Sequence, residues 1–111
     1  MADDVVQIHV THPDRQALGR LVDKLVESHA IASANIIGPL ASTYFWDGKS
    51  HHAEEWLAFM KTAHARVDEV VASIDEDHPY EVPGIMVLTI DGGFAPYLEW
   101  IRQTTKAATK R

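Results

Sequence analysis

The run Asn35-Ile36-Ile37-Gly38-Pro39-Leu40-Ala41-Ser42-Thr43-Tyr44-Phe45-Trp46-Asp47-Gly48-Lys49, continued by a second arm through His51, Glu54, Trp56, Leu57, Phe59 and Lys61, decides the fold. Aromatic and β-branched residues crowd the first arm, and Asp47-Gly48 tolerates the positive φ angles of a tight two-residue turn. The stretch therefore predicts a long β-hairpin. Successive strand side chains point to opposite faces, so Trp56, Ala58 and Met60 lie on one face of the second arm and Leu57 and Phe59 on the other. Both faces are apolar. A chain of this length covers one of them with its own helices, so the other is expected to meet a second subunit. Gly38-Pro39 removes a backbone donor within the first arm, which predicts an edge position, a bulge or a bend there.

Upstream of the hairpin, Val6, Ile8 and Val10 alternate with Gln7, His9 and Thr11, the pattern of a strand with one core face. Thr11 or His12 is then expected to cap a helix that opens with Pro13 and Asp14. Leu18, Leu21, Val22, Leu25 and Val26 form its apolar stripe, and it should run to about His29. Downstream, Val67, Val70, Val71 and Ile74 return to helical spacing. That helix ends on Asp75-Glu76-Asp77, where its dipole favours cations by about 0.3 to 1 kcal/mol per charge, so a partner outside the helix is expected. The segment from His78 to Gly84 carries two prolines, and Ile85 to Ile90 is a continuous apolar run, expected to be a strand buried on both faces. After Asp91-Gly92-Gly93, Pro96 starts a last helix with Tyr97, Leu98, Ile101 and Thr105, leading to a basic tail of Lys106, Lys110 and Arg111. The order β-α-β-β-α-β-α predicts an α+β fold. It is a ferredoxin-like βαββαβ sandwich with an extra C-terminal helix, formed by residues 1–111 as a single domain. Both main helices should cover one face of a four-stranded antiparallel sheet.

Composition narrows the function. A formal charge of -6 argues against binding the phosphate backbone of a nucleic acid, and the absence of cysteine removes disulfides, thiolate metal sites and a cysteine nucleophile. Asp3-Asp4 stands where a standard secretory signal would be basic and then apolar, and no apolar run reaches the roughly 18 residues of a membrane span. The expected compartment is the cytoplasm.

Several segments together resemble the CutA family, the divalent-cation tolerance proteins. They are Asn35-Ile36-Ile37, Ser42-Thr43-Tyr44-Phe45-Trp46-Asp47-Gly48-Lys49, Glu54 through Lys61-Thr62, His78-Pro79-Tyr80-Glu81-Val82-Pro83 and Tyr97-Leu98-Glu99-Trp100-Ile101. An aromatic-Trp-acid-Gly-Lys hairpin followed at this distance by His-Pro-Tyr-Glu is not a pattern that generic packing demands. The resemblance covers nearly the whole chain and implies a ferredoxin-like fold assembled as a compact homotrimer, sheets meeting edge to edge. It also implies a role in tolerance of copper and other divalent metals, and eukaryotic relatives are linked to membrane anchoring of acetylcholinesterase. Family members often carry a cysteine where this chain has Ala34, so copper binding through a thiol is impossible here. Gly38-Pro39 likewise departs from the Pro-first order common after the Asn-Ile-Ile run.

The candidate site residues fall in two sets. Imidazole and carboxylate donors suited to a weakly bound divalent metal, copper or zinc, are His51, His52, Glu54, Asp77 and His78. Adjacent strand residues diverge, so His51 and His52 cannot share one ion without a bulge or a second chain, whereas His52 and Glu54 share a face. Solvated or packed histidines, and an acidic loop keeping the protein soluble, are the simpler reading of the same residues. The second set comprises Tyr44, Trp46, Lys49, Lys61, His78, Tyr80, Glu81 and Trp100, read first as interface or core residues and second as the walls of a cleft between subunits. Such a cleft would hold a small anion or metabolite. No nucleophile elbow, phosphate-binding glycine loop or His-Glu-x-x-His helix is present, so a protein without catalysis is the leading expectation, and a small-molecule binder or enzyme using the cleft lined by Tyr44, Lys61, His78, Tyr80 and Glu81 is the alternative.

Overall fold

The computed structural model describes residues 4–106, so Asp3 and the Lys110 and Arg111 of the expected tail lie outside the described residues. The elements are β1 (Val5–His12), α1 (Arg15–Glu27), β2 (Ser33–Trp46), β3 (Lys49–Ala63), α2 (Val67–Asp77), β4 (Ile85–Thr89) and α3 (Ala95–Thr104), in the expected order. The strands form one antiparallel sheet in the order β2-β3-β1-β4. Val6, Ile8 and Val10 of β1 and Ala58 and Met60 of β3 supply its buried face. Leu18, Leu21 and Leu25 of α1 and Val70 and Ile74 of α2 close over them. Each large side chain so buried contributes roughly 1.5 to 3 kcal/mol of transfer free energy, which is why the period-2 and period-3.6 patterns meet in one layer. Val5, of opposite parity, joins Ala32 and Ile101 in a smaller cluster that seats α3.

The start of α1 differs from the expectation. Neither Thr11 nor His12 caps it; Asp14 does, its carboxylate accepting from the backbone N–H of Gln16 at 3.0 Å and Ala17 at 3.1 Å. Asp14 has an extended backbone and a side chain short enough to fold back on the first turn, and Pro13 stands before the cap instead of opening the helix. The acidic end of α2 finds its partner in Lys24 of α1, 3.2 Å from Asp77.

The hairpin is present in full. Asp47 and Gly48 take φ of 53° and 79°, as a two-residue turn with right-handed strand twist requires. The register shifts between Ile37 and Leu40, so Gly38 and Pro39 together face Trp56 and make a bulge, with a cis bond between them. Beyond the bulge, Leu40, Ser42 and Tyr44 pair with Glu55, Ala53 and His51. β1 stops at the His12–Trp56 pair, so from Leu40 and Glu55 onward the two strands pair only with each other and project as an arm. Its aromatic residues are uncovered, Phe45 at 74%.

Ile85 to Ile90 was expected to be buried on both faces, and within this chain it is not. Among the described residues β4 is an edge strand with a single neighbour, and Met86 remains 64% exposed. Met86 and Leu88 pair with His9 and Gln7 on the face turned away from α1 and α2, where Leu57 and Phe59 also stand. Hydrophobicity of a strand reports the need for cover, not its source.

Candidate functional site

A cleft of about 680 Å³ lies where the base of the arm meets the α2–β4 connection, with Thr11, Tyr44, Trp46, Glu55, Tyr80 and Glu81 among its walls. The bulge helps build it: the extra residue on β2 resets the pairing so that Tyr44 and Glu55 stand on one side of the arm. Pro79 and Pro83 restrict the opposite wall, reducing the entropy lost in fixing Tyr80.

Behind that wall is a run of aromatic rings. His78 is buried; its Nε2 donates to the Thr11 carbonyl at 2.7 Å and its Nδ1 accepts from the Tyr80 N–H at 3.1 Å. These two partners engage both ring nitrogens and leave neither free in this conformation. His12, 2% exposed, packs at 4.6 Å between ring centroids from His78, and its Nδ1 accepts from the Asp14 N–H. Burial first, and then the neighbouring His78, hold the His12 imidazole below its ordinary value. Tyr80 stacks at a tilt on His78 and donates its hydroxyl to Glu55 Oε2 at 2.8 Å. Its phenol is pushed well above the usual range by burial first, then by the hydrogen bond to Glu55 and the charge of that carboxylate, with a smaller upward push from Tyr44.

Glu55 is the residue that sequence reading passed over. It is 4% exposed and lines the cleft. A signal was available, since Glu55 shares strand parity with Leu57 and Phe59 and is thus a carboxylate in line with an apolar row.

The expected metal donors are dispersed. His51 stacks on Tyr44 and hydrogen-bonds the Trp46 carbonyl at 2.8 Å, while His52 and Glu54 occupy the other face of the arm. Asp77 pairs with Lys24, and His78 is enclosed as described. Among the described residues no group of three His, Cys, Asp or Glu side chains is arranged to hold a metal ion. The cleft set divides as well: Tyr44, Trp46, Tyr80 and Glu81 line it, but His78 stands behind Tyr80. Lys49 lies at the hairpin turn, and Lys61, opposite Gln7 and Ser33, donates to Asn35. Trp100 stacks on Tyr97 of α3, outside the lining. Without a lysine or histidine in its walls among the described residues, the cleft lacks the groups that suited it to an anion.

Comparison with known proteins gives a consistent answer. The family described as "CutA1 divalent ion tolerance protein" matches residues 6–104. The chloroplastic protein CutA of Arabidopsis thaliana is 32% identical over 91% of this chain, although the chain spans only 56% of that relative's length. The divalent-cation tolerance protein CutA of Pyrococcus horikoshii is 32% identical over 92% of this chain and 99% of its own. A solved structure described as the periplasmic divalent cation tolerance protein CutA of Archaeoglobus fulgidus superposes with a TM-score of 0.88 at 29% identity, covering 92% of this chain and 99% of that one. No helix among the described residues is long and apolar enough to cross a membrane. Because one family pattern spans the sheet, both main helices and the cleft wall together, the chain belongs to the CutA1 divalent ion tolerance family.

Proposed function

We propose that the chain acts without catalysis as a ferredoxin-like homotrimer in divalent-cation tolerance, or in a response to divalent cations, and that its arm and open sheet face are the joining surfaces. The observation that carries this reading is the arm. Two strands paired only with each other are at best marginally stable in water, and here they carry exposed Tyr44, Phe45 and Trp46. The same chain leaves Met86 and Leu88 bare on an edge strand. Mutual cover between copies resolves both, and the strand order β2-β3-β1-β4 is compatible with the ferredoxin-like arrangement.

Metal binding in this reading is weak and peripheral. His52 and Glu54 share a face and supply two donors, so water or another copy completes the coordination, and copper(II) binds ahead of zinc by the general affinity order. Sedimentation velocity at micromolar concentration should show a trimer, converted towards monomer by Trp46→Glu; a wild-type monomer rejects the assembly. Calorimetric titration with copper should give a weak isotherm that His52→Ala removes, and a silent titration at neutral pH rejects the metal site. The proposed compartment is the cytoplasm, which recovery of the protein from a periplasmic fraction would overturn.

A second reading makes the cleft a small-molecule site between subunits. It is favoured by one observation, the buried Glu55 carboxylate in its wall.

A further inference from the structure

The cleft has walls of a single electrical character. Among the described residues its charged side chains are Glu55 and Glu81, and no lysine, arginine or histidine lines it. Glu55, 4% exposed as a residue, accepts one hydrogen bond among the described residues, from Tyr80 to Oε2; its Oε1 has no protein donor there and is not sealed off, so it faces the open cleft. A carboxylate in so enclosed a place is ordinarily paired with a cation or saturated by donors, because it has lost most of its hydration. His12 is close enough to feel that carboxylate, but burial first and then His78 disfavour its charged form, and it is not among the residues lining the cleft. Tyr44, Phe45, Trp46 and Tyr80 form an aromatic part of the walls beside the hydroxyls of Thr11, Ser42 and Thr43, and ring faces attract cations lying within about 6 Å. A volume of about 680 Å³ suits a metabolite-sized guest. Glu55 and Glu81 are two carboxylates, and among the described residues no three His, Cys, Asp or Glu side chains are grouped to hold a metal ion, which takes about six oxygen donors when hard.

We infer that the cleft binds a small organic ammonium ion, an amine whose N–H groups donate to Glu55 Oε1 and whose carbon frame lies against Tyr44 and Trp46. The inference rests on the second reading above, that the cleft is a binding site in the assembled protein. Glu81, exposed at the rim, adds attraction at longer range.

The test is calorimetric titration of the full chain with putrescine, and with acetate as the anionic control. Putrescine should give a saturable isotherm and acetate none. Glu55→Gln keeps the side-chain shape and removes the charge, and should weaken putrescine binding roughly 10- to 100-fold. Glu81→Gln, at an exposed position, should weaken it by about threefold. If Glu55→Gln fails to fold by circular dichroism, Trp46→Leu takes its place, with an expected loss of about two- to fivefold from the missing ring. Absence of saturable putrescine binding at millimolar concentration, unchanged affinity in both Glu55→Gln and Trp46→Leu, or preferential acetate binding overturns the inference. So does copper or magnesium binding that depends on Glu55 in a protein that ignores putrescine. Sedimentation of the same samples separates the two levels: a trimer that ignores putrescine sinks this inference and leaves the assembly standing, and a monomer that binds it sinks the assembly together with the placing of the cleft between subunits, while the amine site of the single chain stands.

Discussion

Replacing Gly38 with alanine should be among the most damaging single-methyl changes available in this chain. A Cβ at that position would lie 2.3 Å from Trp56 Cδ1, 2.8 Å from Cγ and 2.9 Å from Nε1, closer than carbon atoms approach without something moving. The indole it meets is packed against the main core, so displacing it propagates inward. Overpacking of this kind costs about 1 to 3 kcal/mol, and the φ of +157°, rarely adopted by residues with a side chain, adds about 1 to 3 kcal/mol. Taking roughly 3 kcal/mol in total, and about 4 to 8 °C per kcal/mol for a domain near this size, melting should fall by about 12 to 24 °C. Two further glycines calibrate the argument. Gly48 has a φ of +79° but nothing within 4 Å of the point where an alanine methyl would sit, so Gly48→Ala should show the backbone cost alone, about 1 kcal/mol. Gly92 has neither a neighbour nor a positive φ in that range, and Gly92→Ala should melt with the wild type. Thermal unfolding by circular dichroism at one fixed concentration ranks the three. Combining Gly38→Ala with Trp56→Leu should cost less than the sum of the single changes, since the clash has lost its partner. A Gly38→Ala protein melting within about 2 °C of wild type, or no milder a loss at Gly48, would refute the reasoning.

The remaining expectations are smaller. Asp14→Ala removes two capping hydrogen bonds from α1 and should cost about 1 kcal/mol in denaturant titration, with Asp14→Ser recovering most of it. His12 has a folded-state value below its unfolded one, so the native state binds fewer protons; its contribution is complete above about pH 6.5 and is lost as pH falls further. Urea midpoints at pH 7.5 and 5.5 should differ in that direction, and His12→Asn should flatten the difference. Tyr80 has the opposite sense: its raised value keeps the native phenol protonated, so its contribution is complete below about pH 10 and declines above it. Tyr80→Phe should remove that alkaline decline.

How far the residues alone reach is clearest in the hairpin and in β4. Asp47-Gly48 determined its turn, because few dipeptides accept two positive φ angles, and Gly38-Pro39 announced an irregularity that became a bulge. The alternation in β1 and the stripe of α1 determined which residues meet in the core, since burial follows the period of the element. Local chemistry suffices for such features. It did not suffice at Ile85–Ile90, whose apolarity is the same whether the cover comes from its own helices or from another copy. Nor did it find Glu55, which becomes a site residue only when Tyr80, 25 positions away, reaches its carboxylate across the cleft. Lys61 and Glu81 were plausible cleft partners by charge, yet the sheet carries Lys61 to Asn35 at its other end. The sequence by itself thus determined the elements, their order and the core, all set by neighbours within a few residues. Which polar side chains converge was decided by the tertiary structure, because register and a single bulge choose the face on which each distant group arrives.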